Sequence, residues 1–352
     1  MPVARDSFVG GGRPFIVKPI SQPGLSFGSD QSGINHGETT ITKQRMVLAY
    51  CIGIFVASWA LQLAGIYSVH GNVENNAITP WLVVAMMTPA LGVFLLTALY
   101  KPARQDVLWR ANWRTLAFAP YAVLIPTLVA FGEIAIFGWM SWGRSAWFQF
   151  STAGVQVSGG RWLLGRGEQT WPTFIWNIAV TAMAYSLVAL IFAVGEELGW
   201  RGYLQGQLIQ RLGLFKGIAC LGLLWSFWHL PLLLAGYNYP ENRYLGAFIF
   251  SPILLVAASF FMAWLTLRTR SFWPAALAHG AGDSIAGGLT ASIKTTLPGL
   301  YLYLTELTLI RVVGLIFYIL LVHERHSVKT DSSASFSTEG SNLLGLSESD
   351  GQ

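Results

Sequence analysis

The sequence predicts an all-α polytopic membrane protein of about eight transmembrane helices around an intramembrane polar cavity. Three observations carry that prediction. The chain is 53% hydrophobic and only 11% charged over 352 residues, far from the balance of a soluble globular domain. Its apolar runs recur at about 20 residues, the length a helix needs to cross about 30 Å of hydrocarbon, and lipid leaves a spanning backbone no partner but its own helix. A few ionisable residues fall inside or at the ends of those runs, where a charge is costly unless it is paired or functional.

Taken in order, residues 1–42 are polar and rich in Gly, Ser and Pro. No short apolar core follows a basic start there, so a disordered tail and no cleaved signal peptide are expected. The helical domain, 43–326, carries apolar runs near 46–67, 79–100, 116–139, 174–195, 217–235, 246–267, 273–292 and 302–322. The seventh is interrupted by Gly280, Gly282, Gly287 and Gly288. The segment 140–173 places Trp142, Trp147, Phe148, Phe150, Trp162 and Trp171 among Gly and Ser. It reads as an aromatic interfacial segment at the headgroups, or as a re-entrant or gating element. Residues 327–352, rich in Ser and Gly with Asp and Glu, read as a disordered tail.

Cys51 and Cys220 both lie in apolar runs, as small core residues rather than a disulfide or thiolate framework. Sixteen of the 22 Lys and Arg fall on one side of the predicted spans and five on the other, with Arg311 left inside the last span. Both termini are therefore expected in the cytoplasm, and the net charge of +5 reflects loop topology rather than nucleic-acid binding.

The polar residues of the spans form three groups. EELGWR, Glu196–Arg201, ends the fourth run. On a helix Glu197 and Arg201 meet at i and i+4, while Glu196 points about 100° away, so the two glutamates have different jobs. Glu197 neutralises Arg201; Glu196, without a local cation, suits a general base or acid. The competing reading is a surface cluster at a helix end. His229 lies in LLWSFWHLPL, where Pro231 kinks the helix or frees a carbonyl and Trp225, one turn earlier, can wall a site. His279 and Asp283, in AHGAGDSI, project from one face of a glycine-lined helix. They read as two ligands, as a histidine with its orienting acid, or as a helix-packing hydrogen bond.

In this order, over about 190–285, the three groups resemble the motifs EExxxR, FxxxH and HxxxN or HxxxD of the CPBP intramembrane proteases, which include the CAAX prenyl endopeptidases and bacteriocin-immunity-type relatives. The resemblance implies Glu196 as the catalytic carboxylate, Glu197 with Arg201 as a structural ion pair, and His229, His279 and Asp283 as the remaining site groups. Trp225 stands where phenylalanine is usual. Asp283 stands where asparagine is frequent, and an ionised aspartate would repel an oxyanion, so it must be protonated, turned to His279 or bound to a cation. The implied reaction is peptide-bond hydrolysis by water held between Glu196 and His229, with His279 facing the oxyanion. Glu196, His229, His279 and Asp283 are also the candidate ligands for a divalent ion such as zinc, which the water mechanism does not require.

A depth mismatch accompanies this reading, because His229 lies about 18 Å into the fifth run while Glu196 ends the fourth. The fourth helix is therefore expected to run on toward Arg211, and the fifth to begin nearer Leu221. Rival functions are an ion-coupled carrier using the same Glu, His and Asp as a relay and a non-catalytic immunity or scaffold protein. The expected partners are membrane lipid and a membrane-associated or lipidated peptide substrate. The expected location is the plasma membrane of a bacterium or the endoplasmic reticulum membrane of a eukaryote.

Overall fold

The computed structural model describes the backbone of residues 33–344 and the side chains of 42–324. It is mostly helical. The helices are α1 (Gly33–Ser68), α2 (Thr79–Leu99), α3 (Trp113–Trp139), α4 (Trp171–Glu197), α5 (Gln205–Leu212), α6 (Leu214–Trp228), α7 (Leu230–Leu234), α8 (Arg243–Leu245), α9 (Ser251–Thr269), α10 (Trp273–Ala281), α11 (Gly287–Ala291) and α12 (Leu300–Leu344). Helix thus reaches into the stretches expected as tails, whose outer parts, 1–32 and 345–352, lie outside the described residues. Two units are distinguished by their contacts. One, Thr40–Val322, contains the three motifs; the other comprises the terminal stretches to Thr39 and from His323.

Helix starts follow local chemistry. Asn112 caps α3 by accepting the Arg114 and Thr115 backbone N–H groups, and the Thr115 hydroxyl accepts the Asn112 N–H in return, which satisfies donors that a first turn leaves open. Prolines open α2, α4 and α10, where their missing N–H removes no helical bond. At the other end of α5, Gly213 adopts φ +79°, a conformation that favours glycine, and turns the chain into α6.

Among the described residues, six helical stretches, where eight were expected, are long and apolar enough to cross a membrane: Thr42–Ser68, Asn76–Leu99, Trp113–Trp139, Trp171–Leu212, Pro240–Thr269 and Leu300–Glu324. The expected fifth span is a 15-residue helix, α6, which at 1.5 Å per residue covers only about 23 Å. The expected seventh is divided into α10, a π turn over Gly282–Ala286, and α11. Its glycines break the regular helix where the sequence had marked them.

Nor is the chain wholly α. In the aromatic segment, β2 (Phe148–Phe150), β3 (Gly154–Val157) and β4 (Gly167–Thr170) form an antiparallel sheet in that order, and β1 (Gly143–Ser145) pairs antiparallel with β5 (Ile293–Thr295). Phe148 is buried with its ring against Phe131 of α3 and Phe174 of α4. The short sheet is therefore anchored on the helices. Cys51 and Cys220 are free and half-buried.

Backbone proximity fixes the helices that carry the motifs. A Cβ on Gly280 of α10 would lie 3.0 Å from the Ser186 carbonyl oxygen and the Leu190 nitrogen of α4, and one on Gly222 of α6 would lie 2.5 Å from Val256 Cα of α9. Small residues at such contacts let helices approach to backbone distance. His279, next to Gly280, is thereby held beside α4.

Candidate functional site

Glu196 and Glu197 are the last residues of α4, and Arg201 sits in the π turn Leu198–Leu204 that continues it into α5. Turns of this kind often occur at functional positions. Arg201 is 0% exposed. Its Nη1 donates to Glu197 Oε1 at 2.8 Å, its Nη2 donates to Ser259 Oγ of α9 at 3.0 Å, and its guanidinium carbon lies 4.3 Å from the centre of the Trp225 ring. A delocalised cation over an indole face is attracted by the ring quadrupole. Glu196, 2% exposed, faces elsewhere: its Oε2 accepts the Trp225 Nε1–H at 2.7 Å. The adjacent carboxylates therefore have separate neighbours, as their 100° offset implies.

His229 occupies the break between α6 and α7. Its Nδ1 lies 2.9 Å from the Trp225 carbonyl oxygen. A carbonyl can only accept, so Nδ1 carries the hydrogen and the neutral ring presents a free lone pair at Nε2. Trp225 consequently does more than wall the site, since its indole donates to Glu196 while its carbonyl fixes the tautomer of His229. The break is held from α1. Trp59 Nε1 and Gln62 Nε2 donate to the Trp228 carbonyl at 3.1 and 3.0 Å, and Trp228 Nε1 donates to Ser58 Oγ at 2.5 Å. Trp228 is the last residue of α6, and its carbonyl, one of those a helix end leaves open, is satisfied by side chains instead of by the next turn. The Trp228 ring packs edge-on to His229 at 4.6 Å.

His279, on α10, bridges two carboxylates. Its Nδ1 is 2.9 Å from Glu197 Oε1 and its Nε2 is 3.2 Å from Asp283 Oδ2. Glu197 is thus shared by Arg201 and His279, whereas sequence spacing assigned it to Arg201 alone. A neutral imidazole has one N–H, so both contacts are hydrogen bonds only with a doubly protonated ring or with one of the two carboxyl groups protonated. Of the three arrangements open to Asp283, the one found turns it to His279. The Asp283 side chain is 56% exposed and forms the open side of an otherwise buried cluster. Trp225 completes it, its ring 5.2 Å from that of His279 in edge-on contact.

The depths of these groups agree. Glu196 lies seventeen residues before the Gly213 turn and His229 sixteen after it, so the antiparallel α4–α5 and α6 carry them about 25 and 24 Å from one turn. The fourth helical stretch does run on to Leu212. However, α6 starts at Leu214 rather than near Leu221; extension of the fourth stretch alone removes the mismatch.

Some neighbours had no motif to announce them. Ser259 and the Ser58, Trp59 and Gln62 group read as ordinary helix residues in sequence. Tyr237 lies in the loop after α7; burial raises its phenol above the ordinary value, and the carboxylates of Asp283 and Glu196 raise it further, so it remains an O–H donor. Two other charges within the spans, buried Glu133 and exposed Arg311, belong elsewhere. Glu133 accepts from Thr290 Oγ1 at 2.5 Å, and Arg311 bonds within α12.

The donors do not fit a resident divalent ion as arranged. Both ring nitrogens of His279 face carboxylates, and among the described residues no three His, Cys, Asp or Glu side chains converge as an ion requires. Two hollows lie away from these groups. One, of about 530 Å³, lies between loops 71–74 and 235–245, and another, of about 370 Å³, lies on the apolar flank of α9 and α12; neither is lined by Glu196, His229 or His279.

Comparison with known proteins bears on this cluster directly. Residues 176–285 match a family model described as type II CAAX prenyl endopeptidase Rce1-like. The chain is also similar to CAAX prenyl protease 2 of Methanococcus maripaludis, at 35% identity over 84 residues, which is 24% of this chain and 29% of the relative. The match therefore spans under a third of the curated relative's length. All three motifs fall inside 176–285, and the resemblance drawn from them to the CPBP proteases holds. With six apolar helices and this likeness, the chain is an integral membrane protein.

Proposed function

We propose that this chain, Rce1-like across residues 176–285, is an intramembrane endopeptidase that cleaves membrane-associated peptides, with C-terminal peptides bearing a prenyl group as the substrate class. The observation that carries the reading is the convergence of Glu196, Trp225, His229, Glu197 and His279 through contacts of 2.7–2.9 Å. In this reading Glu196 and the free Nε2 of His229 hold a water molecule. Its oxygen attacks the scissile carbonyl carbon, its proton passes to Glu196, and Glu196 returns that proton to the leaving amine as the C–N bond breaks. His279 and the Tyr237 hydroxyl supply donors for the oxyanion, which requires Asp283 to release the His279 N–H it faces. Glu197 and Arg201 hold His279 in place, and both termini face the cytoplasm. No step is routed through a metal ion.

The test is cleavage of prenylated and unmodified membrane peptides by the purified full chain in liposomes. Wild type is expected to cleave the prenylated peptide with equal rates in chelator and without it, and His229→Ala is expected to lose at least about a hundredfold in rate. Cleavage by His229→Ala at the wild-type rate would remove the histidine from the reaction. Chelator sensitivity would show that an ion assembles a donor set different from the one described.

Trp225 gives a graded prediction. Trp225→Phe keeps a ring over Arg201 but deletes the N–H given to Glu196, so kcat should fall about tenfold, the scale of one charge-assisted hydrogen bond, while the His229→Ala loss is far larger. An unchanged kcat would mean that the indole N–H does not position Glu196.

A further inference from the structure

Arg311 is a cation in the middle of a span that the site leaves unused. It lies eleven residues from Leu300 and thirteen from Glu324 in the last apolar stretch, about 17 and 20 Å from the two ends. That is beyond the reach of a single side chain, so snorkelling does not remove the cost of the charge. Its hydrogen bonds stay on its own helix, with Nε donating to the Leu307 carbonyl at 3.1 Å and Nη2 to Thr308 Oγ1 at 3.4 Å. Among the described residues no Asp or Glu forms an ion pair with it.

Arg311, Gly314, Leu315 and Tyr318 recur at i, i+3, i+4 and i+7, so they form one stripe of α12. That stripe borders the apolar groove of about 370 Å³ whose other wall includes Val256 and Phe260 of α9. Gly314 sets the depth of the groove: a Cβ there would lie 2.8 Å from Ala257 Cα, so the two backbones touch and the surface is recessed between them. A recess of apolar atoms with one cation at mid-depth is complementary to an apolar helix with one anion at the same depth.

We infer that this groove docks the transmembrane helix of a partner protein that carries an Asp or Glu near its centre. A phospholipid matches less well, because its phosphate sits at the interface, about 15 Å from mid-depth. A parallel second copy matches less well too, because it would bring another Arg311 to the same level. Polar pairs between helices in lipid strengthen association by a factor of about ten, and the groove supplies the packing surface.

The test uses full-length protein in phosphatidylcholine vesicles with fluorescent leucine-rich helices that carry Glu, Leu or Lys at the central position, read by energy transfer to the labelled chain. The Glu helix is expected to associate about tenfold more tightly than the Leu helix, and the Lys helix to be rejected. Arg311→Leu should erase the preference, Arg311→Lys should retain part of it, and Leu315→Trp should weaken the Glu helix by filling the groove with Arg311 intact. An unchanged unfolding midpoint for Arg311→Leu shows that the variant folds. Equal association of the Glu and Leu helices, or a preference that survives Arg311→Leu, overturns the inference. So does Arg311-dependent energy transfer between copies of the chain alone, which gives the groove to self-association. Loss of the preference on adding phosphatidic acid gives it to a lipid, with the same consequence.

Discussion

Glu196→Gln is expected to abolish peptidase activity while leaving the protein folded, with a loss of about 10²–10⁴ in kcat, the range for removal of a general base. The substitution is nearly isosteric, and its effect on structure is predictable from one bond. Glu196 Oε2 accepts the Trp225 Nε1–H at 2.7 Å, and the amide oxygen of glutamine can accept the same proton. The packing around Trp225, including Arg201 over the ring at 4.3 Å and His279 against its edge at 5.2 Å, is therefore retained. What is lost is the ability to take a proton from water. The measurement is single-turnover cleavage of a prenylated peptide beside thermal unfolding of the same preparations. Activity above about a tenth of wild type would take Glu196 out of the proton path. Loss of activity with a parallel collapse of the unfolding midpoint would mean that the residue is structural. A transport relay is separated by the same variant, since a carrier without hydrolytic chemistry would yield no product from wild type either.

How far this site was legible in the sequence depends on the range of each contact. The Glu197 and Arg201 pair and the His279 and Asp283 pair are i,i+4 neighbours, so helical periodicity alone brings them together, and both are found in contact. Separation of Glu196 from Glu197 follows from the same periodicity. The sharing of Glu197 with His279, 82 residues away, was not readable, because no local rule sets which face of α10 meets α4. That is decided by the backbone contact at Gly280, which a sequence marks only as a small residue. The Trp225 donor to Glu196 was likewise invisible, since an aromatic at that position reads equally as a wall. The expected count of eight spans is not matched by the six long apolar helices among the described residues, for a related reason. Apolar runs at 217–235 and 273–292 meet the length rule, but Pro231 and the glycines from Gly280 to Gly288 let the chain break within them, and α10 is buried by its neighbours from Pro274 to Ala281. The strands were missed because β2 and β4 are three and four residues long, too short to show alternation.

Glu197→Gln is expected to have the opposite signature to Glu196→Gln, with a loss of stability that carries activity down with it. Glu197 is 0% exposed and its Oε1 faces both Arg201 Nη1 at 2.8 Å and His279 Nδ1 at 2.9 Å. Removing its charge leaves the guanidinium of Arg201, also 0% exposed, with neutral partners in the glutamine amide, Ser259 and the Trp225 ring and only the more distant Glu196 as a countercharge. Breaking a buried pair by neutralising one partner costs about 3–5 kcal/mol, because the remaining charge is stranded away from water. For a domain of this size that corresponds to a fall of roughly 10 °C in the unfolding midpoint. Arg201→Leu should cost less, because Glu197 then keeps His279 as a partner that can carry positive charge. The double variant Glu197→Gln, Arg201→Leu should recover part of the loss, since no unpaired charge remains, and the recovery measures the coupling directly. Midpoints of the four proteins in one detergent decide the matter. If Glu197→Gln unfolds with wild type, or the double variant is worse than the sum of the singles, Arg201 is neutralised by some other group, and Glu197 must be reassigned from holding the site to acting within it.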